Sequence, residues 1–81
     1  MKARIVVSLN SDIRDPQGEA IGRALASLGF DEVGGVRVGK VIDVELDAAS
    51  PDAARERLDA MAKKLLANPV MERFEIVSVS Q

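Results

Sequence analysis

The sequence predicts an α+β fold in which two helices cover one face of an antiparallel sheet. Three observations support this prediction. Apolar residues recur at every second position near both ends of the sequence, two segments of helical periodicity begin with a proline, and glycines interrupt the apolar runs between them. The resulting order of strand, helix, strand, helix and strand is typical of a two-layer ferredoxin-like sandwich. At 81 residues, the chain is expected to form one domain over residues 1–81.

The first and last strands are predicted from period-two patterns. The first has as its apolar positions Ala3, Ile5, Val7 and Leu9. The last covers residues 73–79, and its core-facing candidates are Phe74 and Ile76. The opposite face of the sheet would carry Val6, Val41 and Val77. A partly apolar open face on so small a domain is expected to be covered by another chain.

The first helix is predicted to begin after Asp15, a good N-cap, because Pro16 suits the first helical position. Gly29 stands where a left-handed residue ends a helix, and Phe30 could complete a Schellman motif there. Gly18 is unusual inside a helix, where it costs about 0.5–1 kcal/mol relative to alanine, and it suggests the close approach of another backbone. One helical face is apolar and consists of Ala20, Ile21, Ala24, Leu25 and Leu28.

Residues 31–46 contain two apolar runs separated by Gly39-Lys40. One interpretation is a hairpin of two strands that turns at this pair. The other is one long strand that is bent by a glycine bulge. A two-residue loop with glycine first fits a type II′ turn, which favours the hairpin.

The second helix is predicted to begin with Ser50 as its cap and Pro51 as its first helical residue. Its apolar stripe consists of Ala54, Leu58, Met61 and Leu65. Asn68 is expected to take the left-handed cap position, because Pro69 cannot continue the helix.

The composition excludes several functional classes. The chain contains no His, Cys, Tyr or Trp, so the usual general base near neutral pH and all thiolate chemistry are missing. A net charge of −2 and only two aromatic residues argue against a nucleic-acid partner. No apolar run approaches the roughly 20 residues that span a bilayer, so no membrane partner is expected. The first residues are basic but do not resemble a signal peptide, and a cytoplasmic location is expected.

Two groups of residues have both a chemical and a plain structural interpretation. Asp15-Pro16-Gln17-Gly18 could hold an anion at a helix N-terminus, but Asp15 is expected to cap the free N–H groups itself. Asp43 and Glu45 share the outward face of one strand and could hold magnesium. A solvated, charged strand edge that blocks stray pairing is the favoured interpretation.

Two loop motifs are candidates for partner contacts. Arg37 and Lys40 place two cations around Gly39, which suits a phosphate or a carboxylate. No phosphate-loop pattern accompanies them, which leaves a solvated turn or a contact with an acidic partner surface. Asn68-Pro69 is a helix stop or a second contact. The candidate partner-contact residues are therefore Arg37, Gly39, Lys40, Asn68 and Pro69.

Four motifs in this order and spacing resemble the PurS family, the small subunits of phosphoribosylformylglycinamidine (FGAM) synthase. The motifs are Asp15-Pro16-Gln17-Gly18, Leu28-Gly29-Phe30, Arg37-Val38-Gly39-Lys40 and Leu65-Leu66-Ala67-Asn68-Pro69-Val70. The resemblance runs from about Ile5 to Ile76. This chain departs from the family at Arg14, where an apolar residue is common, and at Gly34-Gly35, where bulkier or acidic residues are usual.

The resemblance implies a non-catalytic bridging subunit of a glutamine-dependent ligase in purine biosynthesis. The partners would be the large synthetase subunit and the glutaminase subunit, and the chain would form a homodimer or a higher oligomer. No cofactor is expected in this chain, since ATP and magnesium would bind to the synthetase. The resemblance also implies that ammonia from the glutaminase reaches the synthetase within the complex.

An amino-acid-binding regulatory module of the ACT type is the alternative function. Such modules share the order of strands and helices and use a glycine-containing loop before the first helix. The loop here ends in Asp15-Pro16-Gln17-Gly18 rather than in the expected Asp-x-Pro-Gly arrangement. Stabilisation by amino acids in a thermal-shift screen would separate the two functions, since only the ACT type predicts it.

Overall fold

The computed structural model describes all residues from 1 to 81. It contains a three-stranded antiparallel sheet in the order β2-β1-β3 and two helices, which confirms the α+β class. In chain order the elements are β1 (Lys2–Leu9), α1 (Pro16–Ser27), β2 (Gly39–Glu45), α2 (Pro51–Met61) with a π-helical turn (Ala62–Leu66), and β3 (Glu72–Ser80). Neither helix has the length and apolar character needed to cross a membrane.

The core lies between the sheet and α2. The central strand β1 supplies Ala3, Ile5 and Val7, as its period-two pattern predicts, and α2 supplies Leu58. Strands β2 and β3 add the partly buried side chains Ile42, Val44, Phe74, Ile76 and Val79. A register shift between β1 and β3 leaves Val77 outside the ladder and keeps both Ile76 and Val79 on the core face.

Helix α1 lies outside this core. Its only buried residue is Gly18, and Leu28, which caps its C-terminal end, is 73% exposed. The predicted apolar face of α1 is therefore mostly uncovered, and the molecule is long, with extents of 50 × 26 × 14 Å. Its radius of gyration of 16.0 Å exceeds the value of about 12 Å expected for a compact chain of this size.

Both interpretations of residues 31–46 are wrong. Strand β2 begins at Gly39, where a hairpin would have turned, and residues 33–38 form neither a strand nor a bulged continuation of one. A Cβ at Gly39 would lie 2.8 Å from the carbonyl oxygen of Val7, so this glycine allows close strand pairing. The N–H of Val38 donates to the Asp15 carboxylate at 2.7 Å, so this donor is not free to pair with a neighbouring strand.

The predicted start and end signals of α1 are confirmed, as is the start of α2. Phe30 donates its backbone N–H to the carbonyl of Leu25 at 3.0 Å, and Gly29 donates to Ala26 at 3.1 Å, which is a Schellman motif. Gly29 has the left-handed φ of 96° that this motif requires. At the other helix, the Ser50 hydroxyl accepts from the N–H of Ala53 at 3.1 Å.

The end of the second helix differs from the prediction. Asn68 is not left-handed, since no residue other than glycine has a positive φ. The helix ends in a π-helical turn, and the extended residue Ala67 donates its N–H to Ala62 at 3.0 Å. Ala62 is buried and continues the stripe of Ala54 and Leu58 at four-residue spacing. Because a π turn contains more residues than an α turn, the next buried residue is Ala67, and the predicted core residue Leu65 is 83% exposed.

Candidate partner-binding site

Asp43, one of the two carboxylates considered as magnesium ligands, is used in a local contact. Asp43 accepts two hydrogen bonds from Arg4, at 2.8 Å and 3.2 Å, and these lower the pKa of its carboxyl group. This pair lies on the exposed face of the sheet, as the charged-edge interpretation predicted. No group of three or more His, Cys, Asp or Glu side chains is placed where it could hold a metal ion.

In the Asp15-Pro16-Gln17-Gly18 motif, the carboxylate of Asp15 itself binds the backbone N–H groups that were considered for an anion. The Asp15 carboxylate is buried and accepts from the N–H of Gly18 at 2.9 Å and from that of Val38 at 2.7 Å. These two hydrogen bonds lower the pKa of Asp15. The carboxylate therefore occupies the position at the helix N-terminus that an anion would take. Gly18 does allow close backbone approach, because a Cβ there would lie 2.3 Å from the Val36 carbonyl oxygen.

Three chain segments converge at one end of the sheet. Strand β1 ends there at Leu9, β2 begins there with Gly39 opposite Ser8, and β3 begins there with Glu72 opposite Leu9. The antiparallel topology thus brings the two predicted partner-contact motifs together. We name the residues Asn10, Arg37–Lys40 and Asn68–Glu72 the sheet-end corner.

Asn10 links the two motifs within the sheet-end corner. Its backbone N–H donates to Met71 at 2.8 Å, and its side-chain amide donates to the carbonyl of Val70 at 3.2 Å. Its own carbonyl accepts from the Arg37 guanidinium at 2.9 Å. Sequence reasoning missed Asn10, because a polar residue in a loop gives no signal of its distant partners.

Glu72 makes a second link in the corner. One carboxylate oxygen accepts from the backbone N–H of Asn68 at 2.7 Å, and the other lies 4.0 Å from the Lys40 ammonium group. The Asn68 side chain accepts from the N–H groups of Val70 and Met71, which holds the turn that carries Pro69. Asn68 therefore shapes this turn with its side chain, and not as a left-handed helix cap.

The surface of the corner is both cationic and apolar. Arg37 and Lys40 are exposed, and Glu72 is the only carboxylate in the corner. Val70 is 79% exposed and Met71 is 43% exposed, and the exposed Leu65 precedes them in the chain. Exposed apolar groups next to fixed charges are typical of protein–protein interaction sites.

A family model for PurS, described as phosphoribosylformylglycinamidine (FGAM) synthase, matches residues 2–80. The chain belongs to the PurS family. PurS from Methanocaldococcus jannaschii is 39% identical over 75 residues, which cover 93% of this chain and 90% of the relative. PurS from Synechocystis is 42% identical over 78 residues, which cover 94% of this chain and 78% of the relative. Both are described as the PurS subunit of phosphoribosylformylglycinamidine synthase.

Solved PurS structures share the fold as well as the sequence. The crystal structure of Methanocaldococcus jannaschii PurS superposes with a TM-score of 0.85. A chain in the structure of PurLQS from Thermotoga maritima is 32% identical and has a TM-score of 0.84, with 98% of this chain and 99% of that chain covered. These comparisons do not support the ACT-type alternative.

Proposed function

We propose that this chain is the non-catalytic bridging subunit of phosphoribosylformylglycinamidine synthase in purine biosynthesis. The observation that carries this proposal is the PurS family match over residues 2–80. The enzyme converts formylglycinamide ribonucleotide, ATP, glutamine and water to formylglycinamidine ribonucleotide, ADP, phosphate and glutamate. The chain joins the large synthetase subunit to the glutaminase subunit and supports ammonia transfer between them. The similarity to a chain of PurLQS from Thermotoga maritima supports this role.

The catalytic groups of the reaction belong to the partner subunits in this proposal. Glutamine hydrolysis of the relevant kind uses a Cys nucleophile with a His base, and this chain contains neither residue. ATP and magnesium bind to the synthetase, and the assembly works in the cytoplasm. The isolated chain is accordingly expected to release no ammonia from glutamine.

The sheet-end corner is the proposed contact with the partner subunits. Arg37 and Lys40 are exposed cations whose side chains already have partners: Arg37 donates to the carbonyl of Asn10, and the Lys40 ammonium group lies 4.0 Å from Glu72. Little conformational freedom is therefore lost when they bind an acidic surface. Asn68 and Pro69 present a rigid turn beside them, with exposed apolar side chains at Val70 and Met71. Gly39 contributes through the close pairing of β2 with β1, which sets the position of Lys40.

Self-association is the second element of the proposal. Helix α1 exposes apolar side chains, and the open face of the sheet exposes Val41 and Val77. A second copy of the chain that covers one of these faces would form a homodimer or a higher oligomer.

Reconstitution with both partner subunits tests the bridging role. Changing Arg37 and Lys40 together to Ala should leave the fold intact, since a surface substitution shifts stability by less than about 0.5 kcal/mol. It should raise the concentration of the chain that gives half-maximal glutamine-dependent synthesis. Ammonia-dependent synthesis by the large subunit should be unchanged, because it needs no transfer from the glutaminase.

The matched control is the double change of Arg55 and Arg57 to Ala. These residues are exposed on α2, and their removal changes the net charge by the same amount. Control and wild-type chains should behave alike. If the Arg37 and Lys40 variant also behaves like wild type at limiting chain concentration, the corner is only a solvated turn.

A further inference from the structure

Asp15 makes one more contact than a helix cap requires. Its Oδ1 accepts from the N–H of Gly18, which is the ordinary capping bond, while its Oδ2 accepts from the N–H of Val38, 23 positions further along the chain. Ser50 caps α2 with a single hydroxyl oxygen. Asp15 is also the only buried charged residue in the molecule, at 4% exposure. The second carboxylate oxygen therefore has a role separate from capping.

Gly18 allows the same segment to lie close against α1. The carbonyl of Val36 lies so close to α1 that a Cβ at Gly18 would be 2.3 Å from its oxygen. A β-carbon there would also meet Asp15, whose Oδ2 would be 2.7 Å away. The start of α1 thus meets the chain on either side of Arg37: the cap residue Asp15 binds Val38, and Gly18 leaves room for the carbonyl of Val36.

Arg37 needs such support, because residues 33–38 have no regular secondary structure. Its backbone is flanked by the two contacts with α1, and its guanidinium donates to the carbonyl of Asn10 at 2.9 Å. An exposed cation on an irregular segment would otherwise lose conformational freedom on binding.

We propose that Asp15, with Gly18, is a positioning residue that fixes Arg37 for contact with a partner subunit. The proposal rests on the proposed function, in which Arg37 contacts that partner. The two oxygens of the Asp15 carboxylate serve two backbone donors, Gly18 and Val38. A serine at position 15 has one side-chain oxygen, so it should keep the helix cap and release Val38.

A double-mutant cycle tests this coupling. The variants are Asp15→Ser, Arg37→Ala and the combination of both, in the reconstituted three-subunit enzyme. Asp15→Ser should raise the half-saturating concentration of the chain by about fivefold to tenfold, as expected for coupled residues. The rate at saturating chain should be unchanged. The combined variant should be no worse than Arg37→Ala alone, because Asp15 acts through Arg37.

A control separates positioning from general loss of stability. Ser50→Ala removes the equivalent cap from α2 and should leave the half-saturating concentration unchanged. If Arg37→Ala has no effect, the proposed partner contact fails. If Arg37→Ala weakens assembly but the two effects multiply in the combined variant, Asp15 is a cap only and the positioning role is overturned.

A measurement on the unmodified chain covers the case in which Asp15→Ser does not fold. The backbone amides of Val36, Arg37 and Val38 should have NMR order parameters near the value of about 0.85 found in rigid backbone. Values well below those of the β1 amides would overturn the proposal.

Discussion

Gly18 and Gly39 are both required because a backbone carbonyl occupies the space that a side chain would need. A Cβ would lie 2.3 Å from the Val36 oxygen at Gly18 and 2.8 Å from the Val7 oxygen at Gly39. The sequence predicted the first role, because glycine inside a helix is unfavourable without a compensating contact. It did not predict the second, because a Gly-Lys pair between apolar runs also fits a turn.

The Asp15 carboxyl group gives the stability a specific pH dependence. Backbone N–H donation from Gly18 and Val38 lowers its pKa in the folded state, and the charge of Arg37 adds to the effect. Its contribution to stability is therefore complete above the unfolded-state pKa of about 3.9 and is lost as the pH falls through the lower, folded-state value. Asp15→Asn, which binds no proton, should show a shallower loss of unfolding free energy in this acid range.

Urea unfolding at a series of pH values below neutrality measures this difference. Glu19 and Asp43 also have lowered pKa values, through Arg14 and Arg4 respectively, but both pairs are exposed and are screened by salt. Glu19→Gln in moderate salt is therefore the control and should keep the wild-type slope. An equal slope for Asp15→Asn and wild type would contradict the assignment.

At the scale of elements, helix starts were predictable and helix ends only in part. The caps at Asp15 and Ser50 and the Schellman motif at Gly29 depend on a few neighbouring residues, which the sequence displays directly. The π-helical turn and the bond from Val38 to Asp15 depend on long-range packing. The same holds for the candidate site: its cations were predicted, but the connecting residue Asn10 was not.

The π-helical turn predicts that Leu58 and Leu65, which the sequence placed on one apolar stripe, contribute very differently to the free energy of unfolding. Leu58 is fully buried, so Leu58→Ala should lower the unfolding free energy by about 2–5 kcal/mol. Leu65 is 83% exposed, so Leu65→Ala should change it by less than about 0.5 kcal/mol. Denaturant unfolding of the isolated chain at one fixed protein concentration measures both. Similar large losses at both positions would indicate that the α-helix continues through residue 65.

The whole molecule is too extended to bury its own apolar surface. Only nine of 81 residues are buried, and the core contains no residue of α1. A two-layer domain normally covers the apolar stripe of each helix against another element. Here the start of α1 contacts the rest of the chain, where the cap residue Asp15 binds Val38 and Gly18 lies close to Val36. Its exposed apolar residues are therefore available to a second copy of the chain.

This arrangement predicts that a charge at Leu28, the C-cap of α1, will change the oligomeric state without unfolding the chain. Leu28 is 73% exposed in the single chain, so Leu28→Asp should have little effect on its fold but should repel a second copy docked on this face. Ser27→Asp introduces the same charge at the neighbouring position and is the matched control. Sedimentation velocity at micromolar concentration should show an oligomer for wild type and for the control, and a shift towards monomer for Leu28→Asp. A folded Leu28→Asp variant that sediments like wild type would show that the second copy docks elsewhere, with the open sheet face around Val41 and Val77 as the remaining apolar surface.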